Sequence, residues 1–247
     1  MKVLATYSIK GGVGKTTAAV NLAYEASRTG ARVLLWDLDP QGAATFFVRV
    51  EPALKGGADR LVSARGALDG HVRATDVPGL DVLPADFSLR HLDLHLDQSS
   101  TDRLAVLLDA VAPAYDVALL DCPPGITLTS ESVFVAADAL LVPTIPSTLS
   151  ARTLEQLRTF LDGAADPPDV LPFVSMIDRR RTVHRDVAAA LATEWPDLLP
   201  TQVPSVAAVE RMGVARAPLG TYAPSSRGAV AFRNLWADIA AHLWPTA

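Results

Sequence analysis

The chain has 247 residues, 49% of them hydrophobic, which fits one substantial hydrophobic core and excludes a low-complexity chain. Its net charge of −5 at pH 7 excludes a generally basic nucleic-acid binder. The single cysteine, Cys122, excludes an intramolecular disulfide and any cluster that needs several cysteines from one chain. Because no run of 18 apolar residues exists and the short apolar N-terminus ends in glycines, we expect no membrane span and no signal peptide, and therefore a cytoplasmic protein.

Short apolar segments alternate with helix-like segments along the chain. Near-continuous Val, Leu and Ala is typical of strands buried on both faces of a parallel sheet. The pattern predicts a single doubly wound α/β domain over 1–247, in which helices flank a mostly parallel sheet. Residues 51–78 are less regular and are expected to form surface helices or loops. The predicted strands are 2–8, 31–37, 80–85, 115–121, 138–144 and 170–176, and the predicted helices are 16–29, 101–112, 128–137, 150–162, 184–195 and 226–244.

A glycine-rich segment, KGGVGKTT (10–17), joins the first predicted strand to the first predicted helix. It is a shifted form of the phosphate-binding pattern G-x-x-x-x-G-K-[ST], because Ile9 stands where the first glycine would be. Its backbone N–H groups would curl around an anion, Lys15 would reach the β- and γ-phosphates, and the Thr16 hydroxyl would ligate Mg²⁺. The alternative is a flexible glycine turn with a surface lysine. We predict nucleotide contacts from Gly11, Gly12, Val13, Gly14, Lys15, Thr16 and Thr17.

Three acidic residues follow predicted strands, where metal-assisted phosphoryl transfer needs them. Asp37 and Asp39 come at the end of the second strand, and Asp121 ends a later one. An acid after four apolar strand residues is the Walker B pattern. We therefore predict that Asp37 and Asp121 hold Mg²⁺ together with Thr16. Asp39 would orient the attacking water. The alternative is that strand-end acids merely cap turns.

Three motifs together resemble the ParA/MinD family of deviant Walker A ATPases. They are K-G-G-x-G-K-T-T at 10–17, D-x-D-P-Q-G at 37–42 and D-C-P-P at 121–124. The similarity is weakest at 43–78, and the short single-domain form is most similar to chromosomal-type ParA proteins. The resemblance implies a slow ATP hydrolase that uses Mg²⁺ and that a partner stimulates. Further segments that resemble the family are 79–96, 137–157, 175–187 and 203–239.

Two of the four lysines of the chain, Lys10 and Lys15, lie in the glycine-rich loop. Lys15 occupies the inner position, so Lys10 is free to point outward. In the family, the first lysine reaches across an ATP-bound dimer to the partner's phosphates. The resemblance therefore implies a homodimer with ATP, in which Lys10, Lys15 and Asp39 take part in catalysis; the alternative is a solvated loop lysine. It also places the adenine near Met176 and Pro204.

The last part of the chain has a weak basic bias, with eight arginines and six acids over 175–247. Arg180 matches a DNA-contacting arginine of the family, and clustered arginines can neutralise phosphates. A second family arginine is absent because Ala208 stands at its position, and Arg211 and Arg216 are candidates to replace it. We predict DNA binding by Arg179, Arg180, Arg181 and Arg185.

The resemblance implies an ATPase that positions or segregates a cargo, which could be a chromosome, a plasmid or a large protein assembly. It would do so through nucleotide-switched, non-specific DNA binding, and it would be associated with the nucleoid. A ParB-like or cargo-adaptor protein with a basic segment would stimulate it, since the residues before 175 carry a net charge of −7.

Two other functions remain open. A MinD-like ATPase would switch on a membrane surface through a basic amphipathic C-terminal helix. Residues 231–247 contain Arg233 but no further arginine or lysine, so a helix that packs on the core is the better account. A metabolic P-loop enzyme of related fold is the second alternative. An amidoligase would bring substrate-binding residues that the sequence does not reveal, and a nitrogenase-type iron protein needs a cysteine pair in each subunit.

Overall fold

A mostly parallel sheet forms the centre of the protein in the computed structural model, which describes residues 1–63, 68, 70–97 and 100–245. In chain order, its strands are β1 (Lys2–Thr6), β2 (Val33–Asp37), β3 (Arg73–Ala74), β4 (Leu80–Leu83), β5 (Val117–Asp121), β6 (Ala139–Thr144) and β7 (Asp169–Val174). Across the sheet, the strands of the described residues follow the order β3-β4-β2-β5-β1-β6-β7. Every pairing is parallel except that of β3 with β4. All six predicted strands are present within two residues of their predicted bounds.

Helices cover both faces of this sheet, so the predicted doubly wound α/β fold is confirmed. The six predicted helices are also present within two residues of their predicted bounds. Along the described residues the helices are α1 (Lys15–Arg28), α2 (Ala43–Phe47), α3 (Gly57–Ser63), a 3₁₀ helix (Phe87–His91), α4 (Leu92–Asp97), α5 (Arg103–Val111), α6 (Leu128–Ala136), α7 (Thr148–Leu161), α8 (Thr182–Glu194), α9 (Ala207–Glu210), α10 (Met212–Ala215), α11 (Leu219–Tyr222) and α12 (Arg227–Leu243).

The region 51–78 is more ordered than the sequence pattern indicates. Helix α3 is not confined to the surface, since it buries Ala58, Leu61 and Val62 in the core. Strand β3 has only two residues and pairs antiparallel with β4, and a strand of this length carries no periodic signal. Residues 64–67 and 69 of this region lie outside the described residues.

Successive residues of the central strands pack into two hydrophobic layers on opposite faces of the sheet. Trp36 and Leu120 belong to the layer that includes α5, α6 and α7, whereas Leu35 and Leu119 belong to the layer that includes α1 and α12. The terminal helix α12 packs on this second layer, as predicted, through its buried residues Leu235, Trp236 and Ile239. Among the described residues, no helix has the length and apolar character needed to cross a membrane.

The carboxyl ends of the parallel strands lie side by side, so residues that are distant in the sequence meet along that end of the sheet. Thr6 at the end of β1 lies in register with Asp121 at the end of β5, which in turn lies in register with Asp37 at the end of β2. Ligands of open α/β sheets bind at this edge. The fold therefore places both predicted metal ligands beside the glycine-rich loop that follows β1.

Candidate functional site

The glycine-rich loop has the backbone conformation of an anion-binding nest. Gly12 and Gly14 have φ angles of 72° and 96°, and Gly14 is the N-cap of α1 without any side-chain cap. The first N–H groups of an uncapped helix are left for a ligand, and the helix dipole favours an anion there. The loop is pinned from β7, because the Ser175 hydroxyl donates to the Val13 carbonyl at 2.9 Å. The sequence pattern did not single out Ser175, which follows the strand without any motif.

Lys15 and Lys10 have different environments within this loop. Lys15 is buried, and its Nζ donates to the Lys10 carbonyl oxygen at 3.3 Å. Burial lowers the pKa of Lys15, although the nearby Asp121 and Asp39 act in the opposite direction. Lys10 is partly exposed, and among the described residues no acceptor binds its ammonium group. Lys15 is thus built into the loop, whereas the Lys10 side chain lies partly in solvent.

Asp121 has the environment of a metal ligand. Its side chain is fully buried, and one oxygen, Oδ1, accepts a long hydrogen bond of 3.4 Å from the Thr6 hydroxyl. The Thr16 side chain acts to lower the pKa of this carboxyl group, while Oδ2 has no hydrogen-bond partner among the described residues. Burial raises the pKa of Asp121 well above its ordinary value, and the neighbouring Asp37 raises it further. A buried carboxylate oxygen without a partner, beside a threonine hydroxyl, fits the oxygen ligands that Mg²⁺ prefers.

Asp37 is more firmly held than a free metal ligand would be. Its Oδ2 accepts the backbone N–H of Thr45 at 2.8 Å and the Thr45 hydroxyl at 2.7 Å, and its Oδ1 accepts the N–H of Asp39 at 3.2 Å. Burial raises the pKa of Asp37 to about 6, and the hydrogen bonds from Thr45 act in the opposite direction. The Thr45 hydroxyl accepts in turn from the N–H of Ala85 at 2.8 Å. Asp37 therefore also anchors the first turn of α2, and Thr45 is a site residue that lay in the weakest part of the sequence pattern.

Asp39 lies at the open side of the same edge. It is partly exposed, and its Oδ1 accepts the N–H of Gln41 at 3.0 Å. This turn places the Asp39 carboxylate beyond the end of the strand. Water can reach it there, because it is not covered by the sheet. Among the described residues, no group of three or more His, Cys, Asp or Glu side chains could hold a metal by itself.

The predicted adenine residues line one cavity next to the loop. This cavity has a volume of about 140 Å³, and Met176 and Pro204 line it together with Gly14 and Thr17. Met176 adopts a left-handed conformation with φ 56°, which is uncommon for a residue with a side chain. The other walls are mainly apolar and include Phe173, Val203, Val209 and Phe232. The arrangement suits a flat apolar base whose phosphates extend toward α1.

The predicted DNA-binding arginines lie in the β7–α8 loop and on the first turn of α8, and all four are exposed. Arg180 is not a free charge, because Nε and Nη2 donate to Asp178 at 3.0 and 3.1 Å. The Arg180 guanidinium lowers the pKa of Asp178 to about 2. Arg216 lies over the Phe46 ring at 4.4 Å, and its Nε donates to the Phe46 carbonyl at 3.2 Å. Arg211 remains exposed.

Comparison with known proteins identifies the family. A family model described as an AAA domain matches residues 1–167. The chromosome partitioning protein ParA of Caulobacter vibrioides is 33% identical over 210 residues, which cover 80% of this chain and 78% of that protein. The sporulation initiation inhibitor protein Soj of Bacillus subtilis is 32% identical over 253 residues, which cover 98% and 99%. The chain belongs to the ParA/MinD family of P-loop ATPases.

A solved structure connects this ParA/MinD fold to its ligands. The chain resembles cobyrinic acid a,c-diamide synthase of Mycobacterium smegmatis with bound ATP analogue and magnesium, with a TM-score of 0.82 and 28% identity over 99% of this chain and 96% of that one. The ATP analogue and magnesium bound in that protein agree with the predicted cofactors ATP and Mg²⁺. The uncapped loop and the unpartnered Asp121 oxygen are the features of this chain that fit them.

Proposed function

We propose that this chain hydrolyses ATP as a homodimer that binds DNA without sequence preference and thereby positions or segregates a cargo. The names of its ParA and Soj relatives support a partitioning or positioning ATPase in general. The observation that carries the finer proposal is the outer lysine. Lys10 has no acceptor among the described residues, although Lys15 beside it is already built into the loop. A cation that its own loop does not use is available for the phosphates of a second subunit.

The residues of one chain divide the work of binding and hydrolysis. The loop N–H groups at Gly11–Gly14 cradle the phosphates, and the Lys15 ammonium binds the β- and γ-phosphates. Thr16, Asp37 and Asp121 would hold Mg²⁺, which would supply positive charge against the phosphates. Asp37 also holds the first turn of α2 in place through its hydrogen bonds from Thr45.

Asp39 is the group that orients the attacking water. Its carboxylate lies at the open side of the site and its Oδ1 is held by a turn. Hydrolysis transfers the γ-phosphoryl group to that water and leaves ADP and phosphate. Because the three motifs at 10–17, 37–42 and 121–124 contain no arginine to neutralise the charge that develops, we expect slow turnover without a partner. A ParB-like or cargo-adaptor protein with a basic segment would meet the acidic part of the chain and raise the rate.

Dimerisation is tested by Lys10→Ala. The substitution removes the outer ammonium group but leaves the carbonyl that accepts from Lys15. We expect the variant to bind ATP and to remain monomeric with ATP in size-exclusion chromatography with light scattering, whereas the wild type dimerises. Lys55→Ala, which removes an exposed lysine elsewhere, is the matched control. A Lys10→Ala chain that dimerises with ATP like the wild type would contradict the proposal.

DNA binding in the cytoplasm, at the nucleoid, is the second half of the proposal. Four exposed arginines near α8 support it, and binding should require ATP and weaken with salt. A duplex of arbitrary sequence and a measurement of fluorescence anisotropy test it directly. Vesicles of anionic lipid serve as the comparison, because a MinD-like ATPase would bind them in place of DNA.

An amide-forming enzyme is the second candidate, because the Mycobacterium smegmatis neighbour carries a synthase name and is 28% identical. Such an enzyme would consume ATP only with a nitrogen donor and a carboxylic acid. We expect glutamine or ammonia with cobyrinic acid to leave ATP turnover unchanged, and duplex DNA to bind. Turnover that depends on the nitrogen donor would favour the synthase.

A further inference from the structure

A groove of about 710 Å³ lies beside β7, at the edge of the sheet. Three segments that are distant in the sequence form its walls: the start of the β7–α8 loop, the segment 200–205 and the first part of α12. Backbone hydrogen bonds fix the first two walls to each other, since the N–H of Ile177 donates to Val203 at 3.1 Å and the N–H of Ser205 donates to Ile177 at 3.0 Å. Backbone hydrogen bonds therefore fix the relative position of two of the three walls of the groove.

The charged residues that line this groove are three arginines and one aspartate, with a net charge of +2. Arg180 and Asp178 form a bidentate ion pair, so their charges offset each other. Arg179 is held by a neutral group, because its Nη2 donates to Gln202 Oε1 at 3.1 Å. Arg227 is exposed, and no hydrogen bond or ion pair engages its guanidinium within the part of the chain that the structure describes. The positive charges without compensation are thus Arg179 and Arg227.

Arg227 has a fixed position because it is the first residue of α12. A Cβ at the next residue, Gly228, would lie 3.2 Å from Val209 and 3.3 Å from Val206, so a side chain at this position would crowd the contact between the helix start and α9. The Ser226 hydroxyl caps Ala229 at 3.2 Å. The remaining N–H groups of the first turn and the dipole of this long helix add partial positive charge at the groove.

We propose that Arg227 and Arg179 form a pair that binds a backbone phosphate of DNA in this groove. The inference rests on the proposed DNA binding and names the residue that replaces the arginine missing at Ala208. Arginine suits this role, because its planar guanidinium binds phosphate through two parallel hydrogen bonds. A polyanion fits better than a free phosphate, since Arg181 and Arg185 continue the positive charge along α8.

The experiment measures ATP-dependent binding of a duplex of arbitrary sequence by fluorescence anisotropy at several KCl concentrations. Arg227→Gln and Arg179→Gln each weaken the shared phosphate contact, so the slope of log K against log[salt] should become less negative in each, by about 0.9 where the contact is lost completely. Arg227→Lys keeps the charge and should keep most of the slope. Arg90→Gln is the matched control, because Arg90 is an exposed arginine on the 3₁₀ helix at the opposite edge of the sheet, where it lies over the Phe87 ring.

The results separate this inference from the proposed function. If the wild type binds no duplex with ATP, the proposed function fails and this inference fails with it. If Arg179→Gln makes the slope less negative but Arg227→Gln does not, DNA binding stands and the role of Arg227 is wrong. ATP-dependent dimerisation of each variant is measured on the same samples, and its loss in Arg227→Gln would also overturn the inference. Inorganic phosphate is a further probe, tested by its effect on the melting temperature and by competition with the duplex. The groove binds free phosphate and not DNA if phosphate raises the melting temperature of the wild type but not of Arg227→Gln, and does not compete with the duplex.

Discussion

The hydroxyl of Thr45 offers the sharpest test of how the site is held. It lies buried between two groups, since it donates to Asp37 Oδ2 at 2.7 Å and accepts from the N–H of Ala85 at 2.8 Å. Thr45→Val keeps the shape and the backbone N–H but removes both of these hydrogen bonds. We therefore expect a large loss of stability from a substitution that creates no cavity.

The magnitude follows from the two partners that Val would leave behind. A hydrogen bond to a charged group contributes about 1.5–3 kcal/mol, and a buried N–H without an acceptor costs about 1–3 kcal/mol. Asp37 keeps its bonds from the N–H groups of Thr45 and Asp39, so the middle of these ranges applies. The free energy of unfolding should fall by about 4 kcal/mol at pH 7.5, where the Asp37 carboxyl is ionised because its pKa is about 6.

Urea denaturation in the absence of nucleotide measures this loss. Thr45→Ser is the matched control, because serine keeps the hydroxyl and loses one buried methyl group, at a cost of about 1 kcal/mol. A clear gap between the two variants would support the hydroxyl as the anchor of α2. If Val and Ser destabilise the protein equally, or if Val stays within about 1 kcal/mol of the wild type, the reasoning is wrong.

Two further substitutions test the phosphate loop and a surface ion pair. Gly14→Ala should weaken nucleotide binding strongly in isothermal titration calorimetry, because φ is 96° and the new Cβ would lie 3.1 Å from Ser175 Oγ. Gly213→Ala is the control and should leave binding unchanged, because a Cβ there meets nothing within 4 Å. Asp116→Asn should reduce the loss of stability in acid, because hydrogen bonds from Arg32 lower the Asp116 pKa to about 2. A depressed pKa contributes stability above its ordinary value near 4, and that stability disappears as the pH falls toward 2. Thermal unfolding between pH 5 and 2 measures this, and an unchanged acid slope in the variant would contradict it.

Local patterns predicted the parts of the fold and the site that depend on neighbours in sequence. The buried strands show as apolar runs, and the loop shows as glycines between a strand and a helix. The sequence alone indicated that Asp37 and Asp121 lie close together, because the carboxyl ends of parallel strands meet at one end of a sheet. Strand β3 was missed because two residues carry no period, and Thr45 was missed because its two partners, Asp37 and Ala85, are far apart in sequence.

The basic groove shows why counting charges along the chain does not locate a binding surface. The run Arg179–Arg181 looks like the strongest basic feature of the sequence, yet Asp178 directly before it offsets Arg180. Arg227 stands alone in the sequence, but the start of α12 brings it to the same groove. The field that a phosphate meets there depends on two guanidiniums that the fold brings together, and on a glycine, Gly228, that allows the close approach. A chain with a net charge of −5 can in this way present a local site for a polyanion.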